Sequence, residues 1–276
     1  AYLYLRYTAP VYQAKTVLQI GSSDQAKSVV NVNQFYEDNS LSKALELLRS
    51  KLLLEQVAQK LPLQTRYFSE GEVLEYEQYV HSPYKVTLTD TLPNPSFFGT
   101  NVNIAFPCET SVRLEYTVNG VPRSYEFSDL NSIETPEFKE SIKVENYAAI
   151  EAEQESNQFH FKFCSVPQLV NEFHQNITVV IANQDARTLA ITMKDDNAFV
   201  ARDMVTALAE EFISFDLEQQ RESSQSILQF LDSRLDTIAY QLDSTQIMLH
   251  QYRKSNRVSE LDGASEMYLD RISEYE

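Results

Sequence analysis

The chain has 276 residues, 40 of them acidic and 23 basic, for a formal net charge of −17. That balance excludes nucleic acid, or an anionic membrane surface, as a partner held by broad electrostatic attraction. A hydrophobic content of 43% excludes general disorder, and only five glycines disfavour loop-built phosphate sites and favour long regular elements.

The first seven residues, AYLYLRY, hold Tyr2, Leu3, Tyr4, Leu5 and Tyr7 with Arg6 as the single charge. Tyrosine suits a boundary between lipid and water, because its ring is apolar and its hydroxyl needs a polar neighbour. The stub therefore reads either as the exit from a membrane span or as a hydrophobic strand docked on the core. No apolar run within the chain reaches the ~20 residues that cross a bilayer, so this segment is expected to be soluble. A signal-peptide pattern is not visible either.

Residues 1–82 are expected to form the first part of an α/β base domain. VYQAKTVLQI reads as a strand with Val17, Leu18 and Ile20 as apolar members, and the polar stretch from Ser22 to Asn39 reads as a loop. Leu41, Ala44, Leu45 and Leu48 then follow helical spacing, as do Leu53, Val57 and Leu61. Ser40 is a candidate N-cap, Ser50 caps a second helix after a bend, and Pro62 ends the pattern. Glu70 to Tyr79 reads as a weaker, acidic helix.

Residues 83–167 have a different texture and are expected to be an inserted antiparallel β domain. Short β-rich runs (YKVTLT, NVNIAF, SVRLEYTV, SYEFSD, SIKVEN, FHFKF) alternate with turn residues. Asn119-Gly120 is a strong hairpin signal, since a type I′ turn needs positive φ at both central positions. Phe159, Phe161 and Phe163 alternate with His160 and Lys162, which puts the phenylalanines on one buried face and His160 on a solvated one.

Residues 168–197 are expected to complete the base. A short helix leads into a strand (ITVVIA), a turn at Asn183 to Ala186 and a second strand (TLAITMK), and Asp195, Asp196 and Asn197 offer side-chain caps. From Ala198 the pattern is helical, with Ala198, Ala201, Val205, Leu208 and Phe212 on its first face. Leu231, Leu235, Ile238, Leu242, Thr245, Leu249 and Tyr252 are then spaced 4, 3, 4, 3, 4, 3, the spacing of a coiled-coil seam or a long bundle helix. Neither glycine nor proline interrupts Ala198 to Glu260. At ~1.5 Å per residue such a helix reaches on the order of 90 Å, so residues 198–276 read as an arm that must find partners in its own chain or in neighbouring copies. The architecture implied is α+β.

Catalytic signatures are missing. The sequence has no GxGxxG, GxxxxGK[ST], HExxH or GxSxG motif. Its four histidines, His81, His160, His174 and His250, are scattered, and Glu210–Glu211 or Asp195–Asp196 read as solvated faces or caps. Cys108 and Cys164 fit no metal spacing. They either pair or stand as two independent thiols, depending on the redox compartment. No cofactor, metal or catalytic residue is expected. Arg202, Arg221, Arg234, Arg253 and Arg257 on the helix read as partners of nearby acids, such as Arg221 with Glu218.

Taken together, Pro10, Tyr12 and Ala14 (P-x-Y-x-A), RSKLLLEQVAQKLPL, FHFKF, ITVVIANQDARTLAITMKDDNAFVARDMVTALAEEFI and the heptads ending LHQYRKSNRVSELD resemble the periplasmic region of bacterial chain-length determinants. These are the Wzz/Wzc-type polysaccharide co-polymerases, and the resemblance, which spans nearly the whole chain, is to the form fused to a tyrosine autokinase. It implies a membrane-proximal α/β base, a long protruding helix and an inner-membrane protein facing the periplasm. The stub would be the exit from one span, with a second span and a kinase after Glu276. The implied partners are copies of the chain in a ring and the polysaccharide polymerase or export machinery, with the glycan a further candidate. Candidate packing residues are Leu231, Leu235, Ile238, Leu242, Leu249 and Tyr252. The β insertion is longer than in the simplest members. A periplasmic adaptor of a secretion system is the alternative, but adaptors carry two antiparallel heptad arms with β halves around them, and here one arm follows the β unit. A sugar-processing enzyme is a third reading, which turnover of candidate glycans would expose.

Overall fold

The computed structural model describes residues 8–21, 40–88, 97–255 and 271. The aromatic stub, the loop expected after Ser22, and the helix beyond Ser255 (with Arg257) lie outside the described residues. The fold is α+β, and the chain divides into two compact units, residues 1–215 and 216–276.

The first unit contains two hydrophobic cores. In the base, β1 (Tyr12–Gln19), β12 (Thr188–Asp195) and β11 (Ile177–Asn183) form a three-stranded antiparallel sheet in the order β1-β12-β11. β-Branched and apolar residues at every second position turn one face inward, with Thr16 opposite Ile191 and Ile191 opposite Val179. Onto that face come α1 (Ser40–Leu48), α2 (Lys51–Lys60), α4 (Val166–Asn176) and the first turns of α5 (Ala198–Ser255). Leu48, Leu53, Val57, Leu169, Phe173 and Leu208 are at most 1% exposed, and each buried side chain of this kind contributes roughly 1.5–3 kcal/mol.

Local chemistry sets the helix ends. The Ser50 hydroxyl accepts from the Leu53 amide, so α1 and α2 are separate helices with a bend between them. Ser165 and Gln168 make a reciprocal capping box at the start of α4. Asn197 Oδ1 accepts from the Phe199 and Val200 amides at 2.8 and 3.3 Å and starts α5. The side chain of Arg49 donates to the Val179 carbonyl at 2.6 Å, covering part of the outer edge of β11.

The second core lies between two sheets. One has six strands in the order β3-β2-β10-β5-β6-β7, formed by β2 (Thr65–Glu70), β3 (Glu75–Glu77), β5 (Val102–Cys108), β6 (Ser111–Val118), β7 (Val121–Phe127) and β10 (Gln158–Phe163). The other is β4-β9-β8, from β4 (Tyr84–Leu88), β9 (Lys139–Val144) and β8 (Ile133–Glu134), and α3 (Tyr147–Gln154) adds Ile150. Phe159, Phe161 and Phe163 do form one buried face, and Tyr84 reaches across to Phe159 and Phe106 at ring-centroid distances of 5.8 and 5.3 Å. Val118 pairs with Val121 around Asn119 (φ 51°) and Gly120 (φ 79°), the two-residue hairpin expected from that dipeptide.

Several expectations are corrected. The acidic stretch after Glu70 is not a helix: Glu75–Glu77 pairs with Phe68–Glu70 as a strand, and Tyr79–His81 is a 3-10 turn. Pairing with β2 satisfies backbone groups that an isolated acidic helix would have to satisfy alone. His160 is not solvated but 2% exposed, because β2 and β3 extend the sheet beside β10 and bring Phe68 and Glu75 over its second face. Ala198 is exposed, and Val200 and Met204 take the buried positions instead. Strand β2 and helix α3 were not legible in the sequence. Both cysteines are free thiols, Cys108 exposed and Cys164 buried.

In the second unit, the described residues 216–255 are the remainder of α5 and contain no buried position. Among the described residues, no helix is long and apolar enough to cross a membrane.

Candidate functional site

The candidate packing residues share one line along α5. Leu231, Leu235, Ile238, Leu242, Leu249 and Tyr252 are 39%, 64%, 59%, 58%, 48% and 62% exposed in the single chain. Residues spaced 4 and 3 apart occupy one face of a helix, so these side chains make one apolar stripe, beside which Phe230, Tyr240, Ile247 and Met248 are also exposed. Thr245 fits the stripe because its hydroxyl bonds back to the Gln241 carbonyl at 2.7 Å. The same spacing continues toward the N-terminus through Leu228 and Leu217, both 60% exposed, with Ser224 and Arg221 between them. Sequence reasoning stopped short of these two leucines because the intervening polar residues break the apolar signal.

Charged neighbours on this stretch are locally engaged. Arg221 pairs with Glu218 at 3.7 Å as expected, and the Arg234 guanidinium lies 5.4 Å from the Phe230 ring centre. Exposed pairs of this kind contribute about 0–1 kcal/mol, so they decorate the stripe without defining it. Arg202 pairs with Asp203 instead of reaching a distant ligand.

A second concentration of polar groups sits where the β unit meets the base. Arg66 on β2 is 8% exposed. Its Nε donates to Glu77 Oε1 at 2.9 Å and Nη2 to Glu77 Oε2 at 2.5 Å, while Nη1 donates to both Glu172 oxygens at 2.8 and 3.1 Å. Burial works to lower the guanidinium's affinity for its proton, but Glu77 and Glu172 outweigh it, and the group is held above its ordinary value. Arg66 thus ties β3 to α4 in a fully paired fork. A cleft of about 410 Å³ opens beside it, lined by Phe68, Glu75, Lys194, Asp195 and Asp196 among others. Burial pushes Asp195 up to about 6, against the Asn197 amide, which donates to Asp195 Oδ1 at 2.8 Å. His160 stacks on Phe68 with ring centres 5.1 Å apart, and its Nε2 lies 2.6 Å from Glu75 Oε1 without hydrogen-bond alignment. The remaining histidines do not join it: His81 faces Phe199, while His174 and His250 are exposed.

Among the described residues, no cluster of three or more His, Cys, Asp or Glu side chains could hold a metal ion. Of the two acidic pairs, Glu211 binds Lys60 and Asp195 braces Asn197, so both serve structure. Nothing in this arrangement juxtaposes a nucleophile, a base and an anion-stabilising pair. Its chemistry is that of packing and contact.

No family model matches the chain. Two curated proteins are similar to it across 99% of its length. One is a protein of Klebsiella pneumoniae named as a tyrosine-protein kinase in the cps region, 22% identical over 291 residues. The other is the tyrosine-protein kinase wzc of Salmonella typhimurium strain LT2, 19% identical over 281 residues. The chain spans only 38% and 37% of the length of these relatives. The kinase activity in their names is said of those whole proteins. Along nearly all of its length, at low identity, the chain is a relative of the Wzc-type tyrosine-protein kinases.

Proposed function

We propose that this segment is the periplasm-facing assembly domain of an inner-membrane polysaccharide co-polymerase, in which α5 meets copies of itself. Copies of the base and of the helical arm then build a homo-oligomer that regulates the chain length or export of a capsular or exopolysaccharide, in concert with the polymerase and export machinery. The observation that carries this reading is the stripe from Leu231 to Tyr252, apolar, regularly spaced and uncovered in one chain. Water contact with such a stripe is costly, since burying a single leucine side chain is worth roughly 1.5–3 kcal/mol, and helices with 4-3 apolar spacing relieve that cost by packing on one another. The relatives' names, a kinase in the cps region and wzc, are compatible with a place in capsule synthesis. The mechanism is geometric: the assembly sets how much of the synthetic machinery, or of the glycan, is held together.

Polar replacement on the stripe tests it. Ile238→Asn in the full-length membrane protein is expected to weaken the oligomer, read by blue-native electrophoresis or mass photometry, and to alter polymer lengths in cells. Wild-type polymer lengths, with the variant present at normal abundance and its oligomer dispersed, would remove the link between assembly and length. An unchanged oligomer in Ile238→Asn and in Leu235→Asn would remove the stripe as the interface.

A further inference from the structure

The segment between β3 and β4 carries a feature the proposed function does not use. Tyr79 has φ +46°, a left-handed conformation that costs a bulky L-residue energy and persists only where its surroundings enforce it. Its ring is 5% exposed. The chain on either side belongs to the β unit, and Tyr67 and Tyr84 are in that unit's core. Tyr79 instead inserts into the core of the base. The unusual backbone turn is what aims the ring away from its own neighbours.

The other contacts of this segment converge on the same target, the root of α5. Asn197, which caps α5, donates through Nδ2 to the Glu77 carbonyl at 2.7 Å. The Tyr79 phenol is pushed up by burial and then by the Asp203 carboxylate on the second turn of the helix, which its hydroxyl faces. His81 packs its ring on Phe199 with centroids 4.4 Å apart, and the Arg202 guanidinium lies 5.3 Å from the same phenyl ring. Arg202 is itself bonded to Asp203 at 2.8 Å, closing a circuit of side chains around the first two turns. Behind this segment, Glu77 is held by buried Arg66, which reaches α4 through Glu172.

We infer that Glu77 to Ser82 is a strained latch: a strap from the β unit that grips the root of α5 and couples the two, so that release of the strap loosens the first turns of the helix. Strain makes the latch releasable. The docked state stores the backbone cost of Tyr79 against the contacts of its ring and hydroxyl, and undocking returns that cost. A coupling element needs two such states of comparable free energy, with contacts that exist only in one. The latch concerns the first turns of α5 whatever the exposed stripe docks on, so it stands or falls independently of the assembly reading.

Hydrogen exchange followed by mass spectrometry tests it on the whole chain. In the unaltered protein, amides of Glu77–Ser82 and Val200–Thr206 are expected to exchange as one unit, faster than those of Phe159–Phe163. Tyr79→Phe keeps the ring and deletes the hydroxyl that faces Asp203, and should accelerate exchange in both latch and root about tenfold while leaving Phe159–Phe163 unchanged. Asp203→Asn should do the same, and the double variant should add little to either single one. Strap and root exchanging at unrelated rates in the unaltered chain would overturn the latch. So would wild-type protection of the root in both variants, or acceleration spread equally through β10.

Discussion

Glu140 offers the sharpest test of the physical account, because it is a carboxyl in a place that should not hold a charge. It lies on β9 opposite Leu88 and Ile133, is 1% exposed, and neither carboxyl oxygen has a hydrogen-bond partner. The hydroxyl of Tyr84, fully buried in the same core, is also unpartnered. Burial pushes the Glu140 carboxyl from 4.5 up to about 8. The unfolded chain therefore releases this proton near pH 4.5 while the folded chain keeps it until about pH 8. Between those values the unfolded state binds fewer protons, and stability falls as pH rises. At ~1.36 kcal/mol per pH unit, a separation of 8 minus 4.5 amounts to about 5 kcal/mol lost by pH 9. Glu140→Gln removes the titration while keeping the shape. Urea unfolding of both proteins from pH 5 to pH 9, followed by far-ultraviolet circular dichroism, should show the wild type losing stability relative to the variant by about 1 kcal/mol per pH unit up to pH 8. Below about pH 3.5 and above about pH 9, outside both values, their difference should be constant. Other groups cancel in this comparison, Asp195 included. Parallel profiles throughout would mean that Glu140 is ionised and solvated in the folded chain, and that the β core is open at β9.

Other outcomes follow from single contacts. Arg66→Met leaves Glu77, whose side chain is 5% exposed, as an uncompensated buried charge. It should cost about 3–5 kcal/mol in chemical unfolding, with much of the loss recovered by adding Glu77→Gln; a cost below 1 kcal/mol would place the pair in water. Cys108 is exposed and held at about 7, chiefly by hydrogen bonding from Ser111 at 3.0 Å and then Thr110. Iodoacetamide at pH 7 should label it while sparing buried Cys164, and peptide mass spectrometry of native and denatured samples distinguishes the two. Gly120 at φ 79° has nothing within 4 Å of the position a Cβ would take, so Gly120→Ala should cost only its backbone strain, about 1 kcal/mol in thermal unfolding.

The parts of the fold that were legible in the sequence share a cause: their signals are local. The break between α1 and α2 depends on Ser50, the hairpin on Asn119-Gly120, and the start of α5 on Asn197, each within four residues of what it controls. What was missed is nonlocal. His160 looked like the wet side of an alternating strand, and only the pairing of β2 with β10 covers it. β2 itself, TRYFSE, is short and polar at both ends, and α3 buries a single residue, Ile150, too little to set up a period. Glu70 to Tyr79 carries enough acid to resemble a solvated helix, yet ladder bonds to β2 outweigh that propensity. The stripe on α5 was readable in its spacing, but Leu217 and Leu228 were not joined to it across Arg221 and Ser224.

The two stretches of α5 differ in what covers their apolar side chains, and that cover separates the jobs they can do. Near the root, Val200, Ala201, Met204, Val205, Leu208, Ala209 and Phe212 are all buried. Adjacent pairs such as Val200–Ala201, Met204–Val205 and Leu208–Ala209 broaden the stripe, as a helix needs when it packs into a globular core. From Leu231 onward the heptad positions recur every three or four residues, with Phe230, Tyr240, Ile247 and Met248 exposed beside them, and none of these side chains is covered in the single chain. A sequence selected only to stay helical in water has no reason to keep the heptad line apolar over more than twenty residues, since exposed leucines there give no packing in return. The uncovered heptad line therefore argues for a helical partner along the outer stretch, as proposed.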